Sequence, residues 1–136
     1  MYIQFLSLQR RLHAVIDRAE RALNAAGEPD IATMGQTRWE IARLLREYQL
    51  MKHNRIFVQF EHGFDDRARK ARRMKADCIR SGEEYRAYIM EWSVVSILDN
   101  WTTYKAAATQ AITRLRTQLQ REHDGVAYLL DKAIAA

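Results

Sequence analysis

Few residues of this 136-residue chain have the type and spacing to do chemistry. Two pairs stand out. Gln49 and His53 are four residues apart, as are Gln118 and Glu122. On a helix that spacing puts both members on one face. Glu122 falls on the apolar line of Leu115, Leu119 and Val126. Gln49 shares a face with Leu45, Ile56 and Phe60. His13 flanks Leu12 and Ile16, and His123 follows Glu122. Inward His and Glu side chains from several helices are the means by which helix bundles build metal sites. Alternatively, Glu122 pairs with an Arg, with His53 or with His13, because a buried carboxylate needs a partner, and the glutamines hydrogen-bond across the interior.

Four helical segments position these residues. Apolar steps of three and four residues run through about 2–26 (Phe5, Leu8, Leu12, Val15, Ile16, Leu23) and 31–61 (Met34, Ile41, Leu44, Tyr48, Met51, Ile56). They recur through 65–98 (Tyr85, Tyr88, Ile89, Trp92, Val95, Leu98) and 102–133 (Tyr104, Ala108, Ile112, Leu115, Leu119, Val126). This is the period of an amphipathic helix. Gly27 is a stop signal, Asp30 an N-cap, Ser81-Gly82 a candidate kink, and Gly125 a candidate interruption near the end of the last helix. Short connections make neighbours antiparallel, so the expected fold is all-α: a single-domain, up-down-up-down four-helix bundle. One Pro and five Gly are too few for a strand-and-turn protein, and one Cys excludes a disulfide framework.

The net charge of +5 is concentrated in the segment 65–75, where Arg67, Arg69, Lys70, Arg72, Arg73 and Lys75 stand against two acids. Such a patch suits an anionic partner. The basic residues go around the helix, no aromatic is interleaved for base stacking, and no reader motif is present, so nucleic acid is the less favoured partner. Cys78 shares a stripe with Ala71 and Met74 and is expected as a small core residue. The apolar start, Tyr2, Ile3 and Phe5, is a candidate homodimer contact. No apolar run approaches a membrane span and no signal peptide is visible, so the expected location is the cytoplasm. No catalytic triad or phosphate loop is present, and no enzymatic activity is expected.

Four stretches, in order, resemble the bacterial hemerythrin-like cation-binding domains: 11–23, RLHAVIDRAERAL; 42–60, opening ARLL and containing His53; 85–101, with its Tyr, Tyr and Trp spacing; and 115–131, LRTQLQREHDGVAYLLD. The resemblance implies a four-helix bundle that, in typical members, holds a di-iron centre on about five histidines and two carboxylates. This sequence departs from that set. His13 matches the first-helix histidine. Gln49 takes a histidine position and His53 a carboxylate position. Gln118 replaces another histidine, and Glu122 and His123 lie where a carboxylate is expected. No histidine occurs between His62 and His123, and Val58 and Tyr128 replace prolines. The expectation is a bundle without a di-iron cofactor, acting as a regulatory or protein-interaction module. The alternatives are a reduced iron site on His13, His53, Glu122 and His123, or an adaptor using the basic segment.

Overall fold

The computed structural model describes residues 1–132, the side chain of Val94 excepted. Its helices are α1 (Tyr2–Asn24), α2 (Ile31–Met51), α3 (Asp66–Glu91), α4 (Val94–Asp99) and α5 (Trp101–Leu129), and no strand occurs among the described residues. A π-helical turn, Lys52–Ile56, and a 3₁₀ turn, Phe57–Gln59, continue α2. Helix α1 packs along α2 and α5, and α3 packs along α5 and α2. Together they enclose one interior built from Phe5, Leu12, Tyr48, Ile56, Leu119 and their neighbours.

The start signals act as the residue types dictate. The Asp30 carboxylate accepts from the Thr33 N–H at 3.1 Å, and the Asp65 carboxylate from the Ala68 N–H at 2.9 Å. Each satisfies an orphan donor of a helix first turn. Helix α1 ends at Asn24, two residues before the expected end, and Gly27 takes a left-handed φ of 92° in the connection.

Three expectations about the helices are corrected. Ser81 and Gly82 do not kink α3, which runs through them to Glu91. A Cβ on Gly82 would stand 3.4 Å from Gln49 Oε1, so the missing side chain lets α3 approach α2. The break falls instead at Trp92 and Ser93, both in extended conformations, where the Ser93 hydroxyl caps α4 through the Ser96 N–H. That break resets the helical phase: Ile97 points into the core, whereas Val95 and Leu98, expected on the core stripe, are exposed. Gly125 does not interrupt α5 either. It is buried within the helix, against the Met74 side chain. Helix α5 ends at Leu129, and the expected end at 133 lies outside the described residues.

Helix 31–61 is corrected too. The α-helix stops at Met51 and the chain then widens by one residue in the π turn, closed by the Phe57 N–H donating to the Lys52 carbonyl. Widened turns of this kind occur often at functional sites. Here both Ile56 and Phe57 become fully buried, and Lys52 enters the core at 1% exposure.

Candidate functional site

Four helical segments meet at a polar cluster inside the protein. Lys52, the first residue of the π turn, donates from Nζ to Glu122 Oε2 of α5. The same ammonium lies 3.1 Å from Cys78 Sγ on α3 and 4.0 Å from the centre of the Tyr48 ring on α2. From α1, the Gln9 side-chain amide donates to the Tyr48 hydroxyl at 3.1 Å and to the Leu119 carbonyl at 2.8 Å. All five side chains are buried. An isolated charge would be very costly here, so each charge requires the other. Burial, with the negative charge of Glu122 adding to it, pushes the Tyr48 hydroxyl well above its usual range. Burial also pushes the Cys78 thiol up, against the opposing pull of the Lys52 ammonium.

A small, partly open space of about 30 Å³ adjoins the pair, lined by Gln49, Lys52, Cys78, Gly82, Gln118 and Glu122 among others. It has room for one or two water-sized molecules. Glu122 is buried, Gln49 and Gln118 are half-buried, and the three line one cavity. The expected partner of Glu122 is corrected: it is Lys52, not an Arg, His53 or His13.

The histidines are not gathered there. His53 packs against Phe57, with ring centres 5.4 Å apart, and its Nε2 is buried without a hydrogen-bond partner. Burial lowers its pKa, and the Lys52 charge lowers it further. Burial and then the Arg116 guanidinium lower that of His13, against the raising effect of Asp17. His123 contacts Asp124 at 3.4 Å. Among the described residues no three His, Cys, Asp or Glu side chains converge as a metal site requires. The reduced iron site on His13, His53, Glu122 and His123 is not assembled. Glu122, its carboxylate, already holds an ammonium where a metal cation would have to bind. The residues present do not fit a di-iron group.

Lys52, Gln9 and Tyr48 escaped the sequence reading as site residues. A signal for Lys52 exists, since Tyr48, Lys52 and Ile56 follow one another at four-residue steps on the apolar face. Gln9 likewise continues the line of Phe5.

A second feature lies outside this cluster, along α3 and α5. An open groove of about 1100 Å³ is lined by Arg69, Lys70, Arg72 and Arg73 from α3, and by Gln118, Arg121, Glu122 and Tyr128 from α5. Four of the six basic residues of 65–75 line this groove. The other two do not. Arg67 pairs with Asp131 at 3.7 Å, and Lys75 with Glu61 at 2.9 Å. Lys75, through this hydrogen bond, lowers the pKa of Glu61. Within the groove Arg69 is paired with Asp66, and Arg72 is held by the Glu61 and Gly63 carbonyls at 2.9 and 2.8 Å. No ion pair engages Lys70, Arg73 or Arg121 among the described residues.

Among the described residues no helix is long and apolar enough to cross a membrane. Compared with protein-family models, with curated proteins and with solved structures, the chain matches none.

Proposed function

We propose that this chain is an up-down-up-down four-helix bundle of hemerythrin-like design in which an internal ion pair stands in place of a metal centre. On this reading it is a non-enzymatic interaction module that binds an acidic segment of a protein partner in the α3/α5 groove. The ring of packing from α1 to α2, α3 and α5 and back to α1 supports the bundle. Against an active site in the interior, the space beside Lys52 and Glu122 is about 30 Å³, too small for an organic substrate.

The observation that carries the docking reading is the cationic groove itself. Lys70, Arg73 and Arg121 line an opening of about 1100 Å³, and among the described residues no ion pair engages them. Asp66, Asp77 and Asp124 line the same opening. Interspersed acids repel the closely spaced phosphates of a duplex, but they leave room for carboxylates placed one helical turn apart on a protein segment. Tyr128, with the Arg67 guanidinium 5.9 Å from the centre of its ring, also lines the opening.

The test is fluorescence anisotropy with a labelled polyglutamate peptide and, separately, a labelled generic DNA duplex. The peptide is expected to bind, with affinity falling steeply as salt rises, and the Arg73→Glu/Arg121→Glu variant is expected to lose that binding. Tighter binding of the duplex overturns the choice of partner. No binding of the peptide, or binding unchanged in the double variant, overturns the groove.

A further inference from the structure

The interior cluster holds a nucleophile and an amine that the docking reading does not use. Cys78 Sγ and Lys52 Nζ are 3.1 Å apart, on different helical segments, and Glu122 is in contact with the same ammonium. The small, partly open space of about 30 Å³ is lined by all three residues. We propose that Lys52 and Cys78 form a covalent crosslink through one oxygen atom, N–O–S, when the protein meets hydrogen peroxide. Three features act together. The separation of 3.1 Å is nearly spanned by a single interposed atom, whereas a direct S–N bond requires the two atoms to approach much more closely. The small cavity admits a molecule of peroxide size. Glu122 provides a base at the nitrogen.

The chemistry closes with two equivalents of hydrogen peroxide. In the first step a sulfur lone pair of Cys78 attacks one peroxide oxygen and the O–O bond breaks. The thiol proton leaves with the departing hydroxide as water, and a sulfenic acid remains, the first rung of cysteine oxidation. Lys52 then passes one ammonium proton to Glu122, which leaves a neutral amine beside a neutral carboxylic acid. In the second step the O–N bond forms as the sulfenic O–H and one amine N–H are lost. Those two hydrogens and two electrons reduce the second peroxide to two waters. Thiol, ammonium, carboxylate and two peroxides thus give the bridge, a carboxylic acid and three waters. Four electrons pass to the two peroxides. Both charges of the ion pair disappear together, so no unpaired charge is left buried.

The crosslink would tie the π turn to α3 and discharge Glu122, which also lines the basic groove. The experiment treats the folded, full-length protein with hydrogen peroxide and maps the products by mass spectrometry. Oxidation of Met90, 84% exposed, reports that the reagent was effective. The expected product joins the peptides bearing Lys52 and Cys78, with the mass of one oxygen gained and two hydrogens lost. Tryptic cleavage after Lys52 should vanish and return on treatment with dithiothreitol. In Cys78→Ala, which keeps both charged partners, cleavage after Lys52 should persist throughout. Three results overturn the proposal: oxygen added to Cys78 with Lys52 free, a joined pair lacking the extra oxygen, or both residues unchanged while Met90 is oxidised.

Discussion

The interior cluster and the surface groove use the same chemistry, cations facing carboxylates, under opposite conditions of solvation. Lys52 and Glu122 are 2% and 4% exposed at their side chains, whereas Arg69 and Asp66 are 59% and 80% exposed. Glu122 belongs to both regions, since it lines the groove and closes the ion pair. In water an ion pair is worth little, because solvent already stabilises each charge. In the core the pair stabilises little relative to apolar packing, yet either member alone is very costly. The interior pair therefore dictates which side chains coexist there, whereas the surface charges stay in contact with solvent.

The sharpest way to break this contrast is to remove one buried charge. Lys52→Met should destabilise the fold by about 3–5 kcal/mol, read from the midpoint of chemical denaturation, because Glu122 is left without a counter-charge. Glu122→Leu should act in the same direction, because Lys52 is then left unpaired. The double variant Lys52→Met/Glu122→Leu should recover most of the loss, since apolar replacement of a whole buried pair is commonly near neutral. If the double variant is as unstable as the sum of the singles, the two charges are not each other's partners.

A smaller effect is expected at Gln9. Its amide bridges the Tyr48 hydroxyl and the Leu119 carbonyl inside the core. Gln9→Leu removes two hydrogen bonds and leaves both oxygens without that donor, at a cost of about 1–3 kcal/mol. An unchanged denaturation midpoint would mean that the bridge adds nothing beyond apolar packing.

Why the sequence disclosed some of this and hid the rest follows from how local each signal is. Asp30 was legible as a cap because a cap depends on residues within one turn. Glu122 was legible as inward because its apolar neighbours on α5 keep an unbroken helical period. Lys52 was not, because periodicity arguments assign lysines to solvent and a partner on another helix is invisible from one segment. The π turn compounds this, since an extra residue shifts the phase of everything after Met51 and carries His53 onto Phe57. The break at Trp92 and Ser93 was hidden by the apolar residues around it, and the glycine at 82 suggested one in the wrong place. A glycine inside a helix costs about 1 kcal/mol relative to Ala, too little to end a helix of 26 residues that packs on two others.

The histidines give a pH test of the same burial contrast. Burial is the first cause of the lowered pKa of both His13 and His53. A histidine that is harder to protonate when folded takes up more protons when unfolded, so acid favours the unfolded chain. Stability should be constant for these groups above about pH 6.5, fall as pH drops through the ordinary imidazole range, and level off below the depressed folded values. His53→Gln should flatten the part of that slope belonging to His53, measured as the denaturation midpoint against pH. The loss should be smaller in Lys52→Met/Glu122→Leu, because the Lys52 charge is the second cause of the His53 shift.

The smallest effect belongs to the surface. Arg69→Ala removes the contact with Asp66, an exposed pair three residues apart on α3. Its stability cost should be about 0–1 kcal/mol and should shrink further in high salt. Affinity for a polyglutamate peptide should respond more than stability does, because Arg69 lines the groove proposed to receive it. An Arg69→Ala variant that loses stability as Lys52→Met does would show that α3 depends on its surface charges to hold its place. The separation between an interior pair that specifies the fold and a groove left open for recognition would then fail.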